Sequence, residues 1–226
     1  MARRSRLLDL GLRPYREVWN LQREIHARVA AGEAPDTWIL CEHAPVVTVG
    51  RNTKREHLLL SPEALAARGV DCVDVERGGD VTYHGPGQLV VYPIMKLPRF
   101  REVVPLVTAL EEAVVATLSG LSIRAHGRGE HRGVYVGDNA ICAIGLAVQK
   151  MTSLHGIALN VCTALDYDRF ITPCGMAQFG ITSVAKELGR DVAVDEVKPR
   201  LRDAMEVRFD VRFERAQAPL PERLAS

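Results

Sequence analysis

Gly133-Val134-Tyr135-Val136-Gly137-Asp138-Asn139-Ala140-Ile141-Cys142-Ala143-Ile144-Gly145-Leu146-Ala147-Val148 is a pair of β-prone runs around a Gly-Asp-Asn turn. Such a pattern predicts a hairpin. Leu154 to Val161 is a further strand just beyond it. Working back toward the start, Leu7 to Leu12 reads as a short strand closed by Arg13-Pro14. Val18, Leu21, Ile25 and Val29 then recur at helical spacing up to a stop at Gly32. Thr37 to Leu40 and Val46 to Val49 are strand-like runs around a Glu42-His43-Ala44-Pro45 turn. Ser61-Pro62-Glu63 has the cap and first-turn proline of a short helix. Val73 to Val75 and Gln88 to Ile94 read as strands flanking a polar, glycine-rich loop. Val103, Leu106, Val107, Leu110, Val114 and Leu118 form one apolar stripe, so Val103 to Leu118 is the best helix. Helices near Ser183 to Leu188 and Val194 to Val207 and a strand at Phe209 to Phe213 complete the chain.

Strands cluster like hairpins, and helices are interspersed without strict β-α-β alternation. This predicts the α+β class: one domain with a mostly antiparallel sheet flanked by helices. The domain is expected to span residues 1–215, with the Pro- and Ala-rich residues 216–226 a frayed tail.

Composition narrows the function. The 226 residues are 47% hydrophobic and carry 29 Lys and Arg against 28 Asp and Glu, a net charge of +1. That excludes wholesale disorder and argues against electrostatic capture of nucleic acid. Aromatic residues make up 5%, too few for a base-stacking platform. No run approaches the ~18 apolar residues of a membrane span. Leu7 to Leu12 is too short for the core of a signal peptide. Five cysteines, an odd number without a CxxC pair, fit a reduced cytoplasmic protein.

The chemistry concentrates in Arg77-Gly78-Gly79-Asp80-Val81-Thr82-Tyr83-His84-Gly85-Pro86-Gly87-Gln88. Four glycines in these twelve residues let backbone approach a ligand closely. Arg77 offers a fixed charge, and Thr82, Tyr83 and His84 offer hydrogen bonds. The segment holds neither a GxxxxGK[ST] loop nor a GxGxxG, so it does not indicate nucleotide binding. A decorated hairpin loop is the alternative reading of the glycines.

Taken whole, that segment resembles the signature of the lipoate-biosynthesis octanoyltransferases. Further stretches match in the family's order: Glu42 to Arg51, Ile141 to Leu146, Ser153-Leu154-His155-Gly156-Ile157-Ala158-Leu159-Asn160, and Thr172-Pro173-Cys174-Gly175. The resemblance covers about residues 5–213 and implies the fold of biotin- and lipoate-protein ligase catalytic domains. It implies transfer of an octanoyl or lipoyl group from acyl carrier protein to a lysine of a lipoyl domain, resting on a cysteine that matches Cys174. It also implies substrate contacts by Arg77, Gly78, Gly79, Asp80, Val81, Thr82, Tyr83 and His84, by Ala143, Ile144 and Gly145, and by Gly156, Ile157 and Ala158. The implied partners are octanoyl-acyl carrier protein, lipoyl domains of 2-oxoacid dehydrogenase E2 subunits and glycine cleavage H protein. Neither nucleic acid nor a membrane is expected, and the chain is expected to be a monomer.

The residues suit that chemistry. A thiolate exchanges readily with a thioester, and the new thioester still acylates an amine. Cys174, between Pro173 and Gly175, has the setting of a turn. Cys41, Cys72 and Cys142 are expected in the core, and Cys162 in the core or just behind the site. His26 and His57 are expected to be solvated, and His126 and His131 lie in a polar stretch. His43, His84 and His155 each fall in a matching motif, so a shared pocket that orients thiol or carbonyl is expected. Backbone N–H groups of Gly78, Gly79 or the Gly156 strand could hold an oxyanion. Ala143, Ile144, Leu146, Ile157 and Ala158 could line an apolar acyl slot. No metal or organic cofactor is expected.

One position departs from the family, which has its catalytic lysine where this chain has Ala140. Lys150 is ten residues along the strand, too far to reach back. Lost thiolate activation alone costs about thirtyfold at most, whereas a lost acid or base costs ~10²–10⁴-fold. The alanine fits a substitution made to cripple the enzyme, a variant in which a histidine takes over, or an inactive homologue. Two readings therefore stand beside a weakened transferase: a non-catalytic acyl-binding homologue, and an ATP-dependent lipoate or biotin ligase. Arg16, Arg23, Arg51 and the basic stretch 126–132 are candidates for meeting an acidic carrier.

Overall fold

The computed structural model describes residues 2–129, 132–172 and 180–216. Among them, β1 (Arg3–Arg13), β2 (Thr37–His43), β6 (Gln88–Ile94), β7 (His126–Gly127), β8 (Gly133–Val136), β9 (Asn139–Gln149), β10 (Thr152–Asn160) and β11 (Val211–Arg215) share one sheet. Its order is β11-β1-β2-β6-β10-β9-β8-β7. Only the β11–β1 and β1–β2 pairs are parallel. A second sheet, ordered β4-β3-β5, holds β3 (Val46–Val49), β4 (Asp71–Asp74) and β5 (Thr82–His84). The α+β class and mostly antiparallel sheet are as expected.

Two helices, α3 (Val103–Ser119) and α5 (Val194–Phe209), pack on one face of the large sheet. Leu106, Leu110, Leu118, Val197, Leu201 and Met205 meet Trp38, Leu40, Leu89 and Ile157 there. On the other face α1 (Tyr15–Ala31) lays Val18, Ile25 and Val29 on Leu8, Ile39, Val90 and Tyr92. The helix starts after Pro14 and ends where Gly32, at φ 78°, returns its N–H to the Arg28 and Val29 carbonyls. Ser61 caps α2 (Pro62–Ala66) and Ser183 caps α4 (Val184–Leu188), each accepting from the N–H three residues on.

Several details correct or refine the expectations. The runs before and after Glu42-His43-Ala44-Pro45 are strands, but β2 and β3 lie in different sheets, so this turn carries the chain between layers. The glycine-rich loop contains a strand of its own, β5, paired antiparallel to β3. His26 is buried, with Nε2 at 3.0 Å from the Gln149 carbonyl and 3.2 Å from that of Thr152. His57 is half-buried and paired with Asp80. Of the cysteines expected inside, Cys41 and Cys142 are buried, Cys72 is half-buried and Cys162 is exposed. The last strand starts at Val211, because Asp210 adopts the left-handed conformation (φ 48°) that ends α5. Residues 217–226, most of the expected tail, lie outside the described residues. No helix among the described residues is long and apolar enough to cross a membrane.

Candidate active site

Two adjoining cavities open between the large and small sheets. The first, about 630 Å³ with the space at its mouth, is bounded by Val81, Thr82 and Tyr83, by Ala140, Cys142 and Ala143 of β9, and by Ala158 and Asn160 of β10. Gln88, Arg132, Tyr135, Tyr167, Ile171, Gly180 and Ile181 close it. The second, about 330 Å³ on the same measure, shares Thr82, Ala143 and Ala158 with the first. It runs on past Arg77, His84, Ile144, Gly145, Gly156 and Ile157 to Tyr15, Tyr92 and His155.

Small residues make this room. Gly145 and Gly156 sit opposite each other across β9 and β10. A Cβ on Gly156 would run into the Val91 carbonyl, and one on Gly145 would press on the Arg77 side chain at 3.1 Å. The Arg77 stem thus crosses the sheet at Gly145, while its guanidinium reaches β3, with Nη2 donating to Thr48 O at 2.8 Å and to Thr48 Oγ1 at 2.9 Å. The loop is sewn to β9 by Gly78 N–H to the Leu146 carbonyl (2.8 Å). That N–H is therefore occupied, which removes Gly78 from the expected oxyanion donors. Glu42 fixes the turn before β6 by accepting the Gly87 N–H at 2.7 Å. Gly87, at φ 82°, has no space for a Cβ against the Cys162–Thr163 backbone.

His155 occupies an unusual backbone position. Pro93, next to the end of β6, brings no N–H to the sheet, and the β6–β10 ladder is regular only between Ile157–Val91 and Asn160–Gln88. In the gap His155 takes φ 60°, costly for a non-glycine residue by roughly 1–3 kcal/mol. Its N–H goes instead to Gln22 Oε1 on α1, at 3.0 Å. The kink turns the imidazole toward α1.

The three motif histidines do come together, around Tyr15. The Tyr15 ring lies 5.1 Å from His43 and stacks on His84 at 5.9 Å. Tyr15 OH stands 3.5 Å from His155 Nδ1. His43 points Nδ1 at the Arg13 carbonyl (3.2 Å), so its Nε2 accepts from Tyr92 OH at 2.8 Å. His84 Nδ1 lies 2.7 Å from Gln88 Oε1, and Gln88 Nε2 donates to Asn160 Oδ1 at 2.9 Å. Burial pushes His43 down to about 4 against the opposing Arg13 hydrogen bond. Burial, helped by the neighbouring His43, pushes His84 down to about 3. His155 is lowered by burial too, but here Glu76 works the other way. Glu76 Oε2 lies 3.5 Å from His155 Nε2, outside a normal hydrogen bond, and accepts from Trp19 Nε1 at 3.0 Å. Burial raises the Glu76 carboxyl, yet His155 and Arg23 outweigh it and hold it at about 2. The site is thus lined by neutral imidazoles and uncharged phenols at neutral pH, with one carboxylate behind them.

Of the residues expected to touch substrate, Arg77, Val81, Thr82, Tyr83, His84, Ala143, Ile144, Gly145, Gly156, Ile157 and Ala158 line one cavity or both. Gly78, Gly79 and Asp80 line neither. Asp80 instead pairs with His57 and accepts the Val81 N–H at 2.7 Å. His43 stands one layer behind, through Tyr92. Leu146 joins the packing on the opposite core rather than the slot. Cys174 lies outside the described residues, while Ile171 and Gly180, on either side of that stretch, both line the first cavity. No lysine lines either cavity among the described residues, and Lys96 is tied to the Ala30 carbonyl at 3.0 Å. No set of three His, Cys, Asp or Glu side chains among the described residues is arranged to hold a metal ion. Sequence reasoning missed Tyr15, Glu76, Tyr92, Arg132, Tyr135 and Tyr167. Asn160 and Gln88 sat inside quoted motifs, whereas Tyr15 carried no signal beyond opening a helix.

Comparison with known proteins places the chain in a family and a fold. Residues 14–206 match the family described as the lipoyl protein ligase A/B catalytic domain. An octanoyltransferase of Syntrophobacter fumaroxidans is 44% identical over 198 residues, 87% of each chain. One of Caldanaerobacter subterraneus subsp. tengcongensis is 42% identical, over 94% of this chain and 93% of its own. Among solved structures, lipoate-protein ligase A bound with ATP superposes with a TM-score of 0.81 at 19% identity, over 98% of this chain and 90% of that one. The biotin protein ligase of Aquifex aeolicus superposes at 0.52 and 12% identity, over 92% and 70%. These two likenesses concern the fold.

Proposed function

Because the chain belongs to the lipoyl protein ligase A/B catalytic domain family, we propose that it is an octanoyltransferase, moving an octanoyl or lipoyl group from acyl carrier protein to a lysine of a lipoyl domain. The acyl group rests on Cys174 as a thioester between the two half-reactions. The observation that carries this reading is the joined cavity itself. Its walls of Ala143, Ile144, Ile157 and Ala158 suit a saturated chain, its small residues make the width, and its polar end offers donors to a carbonyl. Both stretches flanking residues 173–179 border it. Lipoyl domains of 2-oxoacid dehydrogenase E2 subunits and glycine cleavage H protein are the acceptors. Contact with an acidic carrier falls to few of the expected cations, since Arg16 pairs with Asp71, Arg23 with Glu76 and Arg132 with Glu111.

Ala140 favours a second reading, an acyl-binding homologue that does not turn over. One experiment separates the two. The chain is incubated with octanoyl-acyl carrier protein, its intact mass is measured, and a lipoyl domain is then added. An octanoyl mass on Cys174 that disappears as the lipoyl domain gains it is the expected result. Octanoyl bound but never released supports the second reading, and loading only from free octanoate with ATP would make the chain a ligase.

A further inference from the structure

Strand β3 ends at Val49, and the chain then runs through Gly50-Arg51-Asn52-Thr53-Lys54-Arg55-Glu56-His57 on its way to α2. This loop is held against residues that line the two cavities. Arg51 N–H donates to the Arg77 carbonyl and Asn52 N–H to that of Gly79, each at 3.1 Å. The approach is close: a Cβ on Gly50 would stand 2.5 Å from the Gly79 carbonyl oxygen. Further on, Leu58 forms a β-bridge with Ile171, and Leu59 N–H donates to the Phe170 carbonyl at 3.0 Å. Arg77 lines the second cavity and Ile171 the first, while no residue of 50–59 lines either. The loop therefore stands one layer outside both. Its backbone is tied down, but its cations are not. Arg51, Lys54 and Arg55 are exposed, and none has an ion pair or side-chain hydrogen bond among the described residues. Only one carboxylate, Glu56, shares the stretch with these three cations. By contrast Arg16, Arg23, Arg128 and Arg132 each pair with a carboxylate. Leu59, beside the cations, is 50% exposed, which adds an apolar contact to a charged rim.

We propose that Arg51, Lys54, Arg55 and Leu59 form the docking surface for the acidic donor, acyl carrier protein. The inference rests on the proposed transfer from that carrier. Charge complementarity selects an acidic protein, and an unpaired basic patch steers one toward the rim of the cavities. Reach selects the donor over the acceptor. A lysine has a stem of only four carbons, so a lipoyl domain must press on the cavity opening itself to deliver its amine. An acyl group on a phosphopantetheine arm hangs much farther from the protein that carries it. That carrier can rest one layer out, where these side chains stand. The phosphodiester of the arm lies at the carrier's surface and adds an anion that a guanidinium can meet with paired hydrogen bonds.

The test measures binding apart from turnover. Arg51→Gln, Lys54→Gln and Arg55→Gln are combined in one chain. A control of equal charge combines Arg6→Gln, Arg212→Gln and Arg215→Gln, on β1 and β11 at one edge of the large sheet. Native and variant chains are titrated with acyl-free holo-acyl carrier protein, and separately with a lipoyl domain, at about 50 and about 300 mM salt. The loop variant is expected to bind the carrier protein about ten- to thirtyfold more weakly at the lower salt, as for three exposed charge pairs lost together. The difference should shrink at the higher salt. Its melting temperature should be native, and so should its affinity for the lipoyl domain. Its loading from octanoyl-pantetheine, a donor with neither protein nor phosphate, should also be native. The control should match the native chain throughout. Carrier binding within about twofold of native, an equal loss in the control, or a loss confined to the lipoyl domain overturns the surface while leaving the transferase. A native chain that binds no carrier protein even at low salt overturns it too. A native chain that binds the carrier protein through this loop yet takes octanoyl from neither donor overturns the transferase and leaves the surface.

Discussion

Ala140 gives its N–H to the Gly180 carbonyl at 2.9 Å and receives the Thr182 N–H on its own carbonyl at 2.9 Å. Its backbone is therefore fixed by the chain that leaves residues 173–179, whatever side chain it carries. Its Cβ borders the first cavity, so a longer side chain has space to enter. Ala140→Lys is expected to raise octanoyl transfer at least about tenfold, the low end for a regained acid–base group, with little change in melting temperature. An unchanged rate in a multiple-turnover assay removes the role assigned to this position. Gly156 makes the opposite case, since its missing side chain is what lets β6 and β10 lie together. Gly156→Ala must push a Cβ into the Val91 carbonyl, and an overpacking cost of roughly 1–3 kcal/mol should appear as a lower urea midpoint.

Helix α1 shows how far an element can be read from its residues. Its start, its end and the stripe of Val18, Ile25 and Val29 are legible, because a proline, a glycine and a 3.6-residue period each leave a local mark. Its functional content is not. Gln22 is fully buried while Leu21, the residue that the apolar pattern favours, is only half-buried. The reason lies outside the helix: the β6–β10 ladder stops short of His155, and the His155 N–H finds its acceptor in Gln22 Oε1 on α1. No periodicity reports a need created 133 residues away. Gln22→Met keeps the volume but orphans that buried N–H, so it should cost about 1–3 kcal/mol by urea unfolding. Gln22→Met with full stability would show that water or a neighbour replaces the amide.

Across the whole molecule, the α+β class and the hairpin β8–β9 follow from strand patterns, and the cavity walls follow from matching motifs. The separation of β2 from β3 into two layers does not, since a four-residue turn looks alike whether its strands pair or part. That separation creates the space in which His43, His84 and His155 meet, and it ties stability to pH. Each of these histidines is lowered by burial, His43 to about 4 and His84 to about 3. In the unfolded chain a histidine binds its proton near pH 6.5, whereas in the folded chain these stay neutral. Between those values the unfolded state holds more protons, so stability rises with pH and is lost as pH falls from about 6.5 toward 4. Glu76, held at about 2, acts in the same direction but only below the usual carboxylate range, so it leaves this window to the histidines. His43 and His84 each contribute at most ~1.4 kcal/mol per pH unit there, giving a combined slope of up to ~2.7. Urea midpoints measured from pH 7.5 to 4.5 should therefore fall steadily below pH 6.5. Replacing His84 by Gln should roughly halve that slope if the variant folds, and the native chain alone decides the matter otherwise: a midpoint independent of pH across this range would mean that the imidazoles are not held neutral inside the fold.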